Sequence, residues 1–245
     1  MKKKSPLHIG TSGWHYDHWQ GPFYPEQLVK SDFLAFYQKH FQTVEINNSF
    51  YHLPAEKTLR EWREKVPPGF VFAVKGSRYI THMKKLKDPQ QSIKRFLDRV
   101  QILEDRLGPI LFQLPPRWHF NADRLRAFLE ALPREYRYAL EFRDPSWLNQ
   151  EVYRLLTDHG AAFCIYEFAG QLSPKEITAS FVYIRLHGPR GPYQGKYETQ
   201  TLADWAGAIS TWTSQGKEVF CYFDNDEAGY APQNALSLKK MLSQE

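Results

Sequence analysis

Eight apolar segments rich in β-forming residues recur along the chain at nearly even spacing, with stretches of helical periodicity between most of them. Counted from His8 to Glu218, the average step is about 30 residues, which is the length of a βαβ unit. Such alternation predicts a parallel sheet covered by helices. The predicted strands are His8–Ser12, Thr43–Asn47, Phe70–Lys75, Ile110–Leu114, Tyr138–Arg143, Ala161–Tyr166, Phe181–His187 and Glu218–Asp224.

The number of segments distinguishes between the common parallel α/β architectures. Eight strands favour closure into a TIM-type (β/α)₈ barrel, because an open doubly wound sheet usually has only five or six. A chain of 245 residues fits one such barrel, and we interpret residues 1–245 as a single domain. Residues 1–6 precede the first strand, carry three lysines and are expected to form a flexible basic tail.

Seven stretches with helical spacing accompany the strands. The sixth connection is the exception, because residues 167–178 contain Gly170, Ser173 and Pro174 and leave little room for a full helix. An irregular sixth crossover is therefore expected. The predicted helices are Ser31–His40, Ala55–Val66, Pro89–Leu107, Asn121–Leu132, Asn149–His159, Leu202–Gln215 and Gln233–Leu242.

The amino-acid composition argues against a disordered chain and against a membrane-spanning protein. An apolar fraction of 42% predicts an ordered globular chain, and no apolar run reaches the roughly 18 residues needed to cross a membrane. The N-terminus lacks the apolar segment of a secretory signal, so we expect a cytoplasmic protein with no membrane association. The two cysteines, Cys164 and Cys221, lie in apolar runs and are expected to be buried thiols.

The alternation of polar and apolar residues within each strand locates a candidate site. Because helices cover the outside of a barrel, the apolar parity of a strand must face outward and the polar parity inward. The polar residues lie toward the C-terminal ends of their strands, where barrel enzymes carry reactive groups. We therefore expect convergence at one end of the barrel, its C-terminal mouth, of Glu45, Asn47, Lys75, Gln113, Glu141, Arg143, Arg185, His187 and Asp224.

Such a ring of charges has two interpretations, a salt-bridge network that closes the barrel or a functional pocket. The pocket is favoured, and the leading hypothesis is an enzyme that acts on a small polar, anionic molecule. Carboxylate, imidazole and amine groups exchange protons when burial shifts their pKa values. The predicted catalytic residues are Glu141, His187, Lys75 and Glu45, and the predicted substrate-binding residues are Arg143, Arg185, Asn47, Gln113, Trp14, Asn225 and Asp226.

A metal-assisted hydrolase or isomerase is the alternative enzyme hypothesis. The side chains of Glu45, Glu141, His187 and Asp224 are suitable ligands for a divalent metal. Three cations in the same layer, Lys75, Arg143 and Arg185, instead favour direct binding of a carboxylate or phosphate. No cofactor is predicted, and a divalent metal is kept as the alternative.

Two loops could complete the site. The loop after the first strand is rich in aromatic residues, from Trp14 to Tyr24, and either plugs the end of the barrel or forms a wall against a ring, sugar or base. The glycine-rich basic segment Gly188–Lys196 either binds phosphate or is a mobile connector.

A nucleic-acid-binding module is the hypothesis from a class other than enzymes. Such a module would use the basic surface, with a net charge of +5, together with the aromatic loop.

Seven strand-end motifs, taken together, carry a family resemblance over nearly the whole chain. They are Ile9-Gly10-Thr11-Ser12-Gly13-Trp14, Val44-Glu45-Ile46-Asn47, Phe72-Ala73-Val74-Lys75-Gly76, Gln113-Leu114-Pro115-Pro116, Glu141-Phe142-Arg143, Arg185-Leu186-His187-Gly188 and Phe223-Asp224-Asn225-Asp226. In combination they resemble the YecE-like family, also called the domain of unknown function 72 family. The resemblance implies a TIM-type barrel and no established reaction.

One position departs from the family pattern. Asp224 stands where the family commonly has asparagine, so the resemblance argues against an obligatory carboxylate at this position. Asn225 and Asp226 then become the better polar candidates at the end of the last strand.

Overall fold

The computed structural model describes residues 5–243. Its strands are β1 (Leu7–Thr11), β2 (Thr43–Ile46), β3 (Val71–Lys75), β4 (Leu107–Gln113), β5 (Tyr138–Glu141), β6 (Ala162–Phe168), β7 (Gln171–Leu172), β8 (Phe181–Leu186) and β9 (Glu218–Phe223). The hydrogen-bonded order is β1-β9-β8-β6-β5-β4-β3-β2, and a parallel bridge between Ser12 and Glu45 joins the two ends of the sheet. All pairs except the β6–β7 hairpin are parallel, so the expected TIM-type barrel is confirmed.

Helices lie outside this sheet and follow the predicted stretches closely. Asn121 and Asn149 cap the fourth and fifth, because their side-chain oxygens accept hydrogen bonds from first-turn backbone N–H groups. The helices are α1 (Phe33–Tyr37), α2 (Glu56–Lys65), α3 (Pro89–Val100), α4 (Ala122–Glu130), α5 (Gln150–Asp158), α6 (Thr199–Ser214) and α7 (Tyr230–Ser243).

Two predicted helices are shorter than their periodicity indicated. The first is divided into a 3₁₀ turn over Lys30–Asp32 and the five residues of α1. The third ends at Val100 and continues as a 3₁₀ segment, in which Glu104 has a φ of 49° that no α-helix accommodates. The sixth crossover contains the hairpin strand β7, and residues 173–180, all of which are described, contain no helix.

The predicted strand parity is confirmed by two separate apolar layers. Side chains of one parity, such as Val74 and Leu140, pack outward against the helices, and Cys221 belongs to this layer as a free buried thiol. Side chains of the other parity fill the inside of the barrel, which is therefore a packed core. The inner layer consists of Ala73, Leu111, Ala139, Ala162, Cys164, Ala179, Phe181, Tyr183, Phe220 and Tyr222.

The aromatic loop after β1 is a structural plug. Trp14 is 2% exposed and packs edge-on against Trp62, with ring centroids 4.9 Å apart. Tyr24 is also buried and stacks on Phe33 at 4.2 Å. These rings belong to the outer layer of the core, so they do not form a wall for a ligand.

The N-terminal segment is described only in part. Residues 1–4 of the expected tail lie outside the described residues, while the backbone oxygen of Pro6 accepts a hydrogen bond of 3.1 Å from Val219. Flexibility of the tail stays a prediction. Within residues 5–243, no helix is both long enough and apolar enough to span a bilayer.

Candidate functional site

Arg185 lies at the centre of the C-terminal mouth and is fully buried. Its Nη2 is 2.7 Å from Oε1 of Glu45 and 3.0 Å from Oδ2 of Asp224, and its Nη1 is 2.9 Å from Oε2 of Glu141. Burial alone would lower the pKa of Arg185, but the three carboxylates outweigh it and raise the pKa well above its ordinary value. The guanidinium is therefore occupied by the protein itself and has no free fork for a substrate.

The carboxylate of Glu45 closes the side of the mouth formed by β8, β9, β1 and β2. Its Oε1 accepts from the hydroxyl of Ser12, and its Oε2 accepts from the hydroxyl of Tyr183 at 2.7 Å. Burial, and then the Glu45 charge, raise the pKa of Tyr183 well above its ordinary value. Glu45, Ser12, Tyr183 and Arg185 thus satisfy one another, which identifies this cluster as a structural network.

Glu141 is a fixed negative charge. Its burial opposes ionisation, but Arg143 and Arg185 outweigh that effect and hold the pKa of Glu141 well below its ordinary value. A carboxylate with so low a pKa is a weak proton acceptor at neutral pH. Glu141 is therefore better suited to orienting Arg143 than to serving as a general base.

His187 is held on both of its ring nitrogens. Its Nδ1 lies 2.9 Å from Oδ2 of Asp224, and its Nε2 lies 2.7 Å from Nη2 of Arg143 and 3.2 Å from Nη1 of Arg185. A guanidinium can only donate, so Nε2 accepts and the proton is assigned to Nδ1. The lone pair that a general base would use faces two cations, which leaves His187 a role in positioning Arg143.

Lys75 differs from the other charged residues of the mouth. Its Nζ lies 4.4 Å from the ring centroid of Phe50 and, among the residues described, forms no hydrogen bond or salt bridge. Burial, with Arg185 adding to it, lowers the pKa of Lys75 to about 8. Lys75 therefore changes protonation near neutral pH, as a proton-transfer group must.

A cavity of about 490 Å³ opens beside this network, above the C-terminal ends of β4, β5 and β6. The guanidinium carbon of Arg143 lies within it, 4.9 Å from the ring centroid of Tyr166 and 4.3 Å from that of Phe168. Such a mixture of rings and a few polar groups is typical of small-molecule sites. The cavity is lined by Gln113, Pro116, Arg143, Pro145, Leu148, Tyr166, Phe168, Gln171, Leu172, Ser173 and Tyr193.

Buried polar atoms without a hydrogen-bond partner are concentrated at this mouth. Among the described residues seven side-chain atoms are enclosed and unpartnered, and five of them follow or end a barrel strand: Asn47 Oδ1, Gln113 Oε1, Glu141 Oε1, Arg143 Nε and Asn225 Oδ1. The Glu141 atom still forms an ion pair with Arg143. Folded proteins leave few such atoms unsatisfied, so the atoms of Gln113 and Arg143, which line the cavity, are the candidates for contact with a ligand.

Asn225 and Asp226, which follow β9, contact the protein itself. The Nδ2 of Asn225 donates to the backbone oxygen of Gly195 and to Oδ1 of Asn234, both at 2.9 Å. Asp226 accepts from the indole of Trp19 and lies 3.3 Å from His18. Both residues therefore hold the loops around the mouth.

The glycine-rich segment 188–196 is tied down at several points. The backbone N–H of Gly188 donates to the hydroxyl of Tyr197 at 2.9 Å, and that of Gly195 donates to Glu227 at 3.0 Å. Gly188 has a φ of 114°, a conformation that side chains rarely adopt. These contacts place Tyr193 at the rim of the cavity.

Three aromatic residues of the cavity, Tyr166, Phe168 and Tyr193, are not among the predicted site residues. Tyr166 and Phe168 continue the inward parity of β6, and that parity could have identified them. The predicted strand ended at Tyr166, whereas β6 extends to Phe168 because it pairs with β7. Tyr193 carries no strand signal, since its position depends on the fold of segment 188–196.

The predicted metal ligands converge on a position that a side chain of the protein already occupies. Glu45, Glu141 and Asp224 all direct oxygens at the guanidinium of Arg185, which lies between them. In the part of the chain that the structure describes, no group of three or more His, Cys, Asp or Glu residues is arranged to hold a metal ion.

Comparison with known proteins agrees with this architecture. YunF of Bacillus subtilis (strain 168) is 26% identical over 270 residues, which cover 96% of this chain and 94% of YunF. A solved DUF72 family protein from Thermotoga maritima MSB8 is 32% identical, with a TM-score of 0.87 over 97% of this chain and 99% of the other. D-psicose 3-epimerase from Clostridium cellulolyticum H10 is only 11% identical, with a TM-score of 0.59 over 97% of this chain and 98% of the epimerase, and shows a likeness of fold alone.

The family model described as "Protein of unknown function DUF72" matches residues 8–245, nearly the whole chain. The resemblance seen in the strand-end motifs is thereby confirmed, and the chain belongs to the DUF72 family.

Proposed function

We propose that this protein is an enzyme that binds a small polar, anionic molecule in the cavity at the C-terminal mouth. The observation that carries the proposal is that two residues lining the cavity, Gln113 and Arg143, each have a buried side-chain atom without a hydrogen-bond partner. A purely structural salt-bridge network would satisfy its own members, as Glu45 does through Ser12, Tyr183 and Arg185. The unpartnered atoms beside the cavity are therefore available to another molecule.

Arg143 is the anion-binding residue in this proposal. Its guanidinium carbon lies 4.9 Å from the ring centroid of Tyr166 and 4.3 Å from that of Phe168, and Nη2 forms an ion pair with Glu141. Its Nε has no hydrogen-bond partner among the described residues. A guanidinium fixed in this way binds a carboxylate or phosphate with little loss of conformational entropy. Gln113 supplies a second free polar atom, and the rings provide apolar contact for the rest of the molecule.

Lys75 is the residue that acts on the substrate. Its pKa of about 8 places both protonation states within reach at neutral pH. Glu141, His187 and Glu45, the other predicted catalytic residues, lie in the network that fixes Arg143 and Arg185, and in this proposal they position the site. The proposal involves no metal or cofactor.

The proposed role of Arg143 can be tested by ligand binding. We expect members of a panel of carboxylate- and phosphate-bearing metabolites to raise the melting temperature, and Arg143→Ala to weaken their binding by about tenfold or more. Gln113→Leu, which removes an unpartnered oxygen, should weaken binding by a smaller factor. Arg126→Ala, on the exposed face of α4, is the matched control. Equal binding of the whole panel by Arg143→Ala and by the unsubstituted protein would contradict the proposal.

A nucleic-acid-binding role receives less support. The rings of the aromatic loop, on which bases would stack, are buried in the core at Trp14, Trp19 and Tyr24. The cytoplasmic location stays a prediction from the sequence.

A further inference from the structure

Within the described residues, Lys75 is the one cation of the mouth network that forms no ion pair with a carboxylate. Arg143 forms an ion pair with Glu141, and Arg185 is bonded to three carboxylates. The Nζ of Lys75 lies 4.4 Å from the ring centroid of Phe50 and forms no ion pair among the described residues. Burying an isolated ammonium costs free energy, so buried charges in proteins are paired as a rule. An unpaired buried lysine therefore suggests a functional use.

The surroundings of Lys75 are those of a ligand site. Lys75 is the last residue of β3, which lies between β2 and β4 in the sheet. Asn47 directly follows β2, and Gln113 is the last residue of β4. The side-chain oxygens of Asn47 and Gln113 are enclosed and without partners. Lys75 keeps 6% of its surface exposed, so the amine is enclosed by protein but not sealed off. An amine and two hydrogen-bond acceptors therefore lie on three neighbouring strands.

We propose that the amine of Lys75 is a nucleophile that forms an imine with an aldehyde or ketone group of the substrate. This inference rests on the proposed function and adds the substrate class: a small carbonyl compound that also carries the anionic group bound by Arg143. Lys75 is not one of the residues that line the cavity, but it ends the strand that pairs with β4, whose Gln113 does line it. An unpartnered amine at a strand end, on a strand next to free hydrogen-bond acceptors, has the arrangement that such chemistry needs.

The chemical step balances without an oxidant or reductant. The nitrogen lone pair attacks the carbonyl carbon, the C=O π electrons move to oxygen, and protons pass from nitrogen to that oxygen. The carbinolamine then loses water, so that an ammonium and a carbonyl compound give a protonated imine and one water molecule. The positive charge stays on the same nitrogen, where the charges of Glu141, Asp224 and Glu45 favour it.

Protonation supports the same role. Attack requires the neutral amine, and burial lowers the pKa of Lys75 to about 8. At pH 7 roughly a tenth of Lys75 is then neutral, whereas an ordinary lysine is neutral in less than about one part in a thousand.

The test uses two general anionic aldehydes, glyoxylate and pyridoxal 5′-phosphate, with borohydride to trap the imine by reduction. Labelled sites in the intact protein are located by peptide mass spectrometry. We expect Lys75 to be labelled at pH 7 at least roughly tenfold faster than other lysines. Lys75→Arg should remove this fast labelling and keep the positive charge.

Lys239→Arg is the matched control. Lys239 is a half-buried lysine whose pKa burial also lowers, but it lies 5.2 Å from the ring of Phe41, away from the mouth. This substitution should leave the fast phase unchanged. Loss of the fast phase in Lys239→Arg and not in Lys75→Arg would overturn the inference.

The outcomes also separate this inference from the proposed function. If Arg143→Ala weakens binding of the metabolite panel but Lys75 is labelled no faster than surface lysines, the binding site stands and imine formation is wrong. If neither effect is observed, the proposed function is overturned as well. Fast labelling of Lys75 that inorganic phosphate slows in the unsubstituted protein, and not in Arg143→Ala, supports both.

Discussion

The imidazole Nδ1 of His187 donates to Oδ2 of Asp224 across 2.9 Å, and the same carboxylate oxygen accepts from Nη2 of Arg185 at 3.0 Å. Both donors use one oxygen atom. Residue 224 therefore needs to supply a single acceptor, and the amide of an asparagine could provide it through Oδ1.

Asp224→Asn should consequently be tolerated. We expect a loss of about 1 to 2 kcal/mol in the free energy of unfolding, because the hydrogen bonds remain while one carboxylate charge is lost. Asp224→Leu removes the acceptor and should cost about 3 to 5 kcal/mol, since it breaks a buried pair. Urea denaturation followed by circular dichroism measures both, and equal losses in the two variants would contradict the single-acceptor interpretation.

Arg185→Met should be among the most damaging substitutions in the barrel. It leaves Glu45, Glu141 and Asp224 facing one another without their shared cation, and we expect a loss of about 3 to 5 kcal/mol or more. Arg126→Met, which removes an exposed ion pair with Asp123, should change stability by about 1 kcal/mol at most. A small effect of Arg185→Met in urea denaturation would show that the network is not held by its guanidinium.

Acid should weaken the fold through the same network. Burial opposes ionisation of Glu141 and Asp224, but their pKa values are lowered in the folded protein. Arg143 and Arg185 lower that of Glu141, and Arg185 and the hydrogen bond from His187 lower that of Asp224. Their stabilising contribution is therefore complete above the ordinary carboxyl range, about 4 to 4.5, and is lost as the pH falls through the folded pKa values. Melting temperatures recorded from pH 6 to pH 3 should fall steeply below pH 4.5, and a flat profile would refute this origin.

Lys75→Met should stabilise the protein at pH 7. Burial lowers the pKa of the folded amine to about 8 from an ordinary value of 10.5, so the unfolded chain binds this proton more tightly. This difference in pKa lowers the free energy of unfolding by roughly 3 kcal/mol at most at neutral pH. The destabilisation by Lys75 decreases as the pH rises from 8 toward 10.5. The difference in melting temperature between the variant and the unsubstituted protein should therefore narrow over that range. A less stable Lys75→Met at pH 7 would show that the amine contributes to folding.

Gly188→Ala should disrupt the loop at the rim of the cavity. A Cβ there would lie 2.3 Å from the backbone oxygen of Gln194, and the φ of 114° is strained for alanine. We expect a loss of more than about 1 kcal/mol. Gly207→Ala is the matched control, because Gly207 lies within α6 with open space around it and alanine there should stabilise by about 0.5 to 1 kcal/mol. Calorimetry compares the two, and equal effects would argue against strain at Gly188.

Much of the fold could be predicted because it depends on local alternation. The inward parity of Glu45, Glu141 and Arg185 follows from the period of a strand, and barrel closure then brings them to one mouth. Which cation pairs with which carboxylate could not be predicted, since that depends on how deep each side chain reaches. Arg185 was expected to bind substrate and is instead enclosed by carboxylates, whereas Arg143, one layer higher, reaches the cavity.

The cavity itself depends on features with little sequence signal. Pairing of β7 with β6 extends β6 to Phe168, and hydrogen bonds from distant residues fix segment 188–196 so that Tyr193 reaches the rim. The aromatic loop, in contrast, has a strong sequence signal that fits two different structures. Its composition suits either a plug or a wall, and only the packing of Trp14 on Trp62 distinguishes them.

The filled interior of the barrel has a consequence for the passage of molecules. Below Arg185 the space is occupied by Tyr183, Tyr222 and Phe220, and at the far end the guanidinium of Arg137 covers Phe220 at 4.9 Å. A compound that enters from the mouth meets a closed base formed by these side chains. In the proposed enzyme, a product that dissociates slowly would therefore block the next reactant at the mouth.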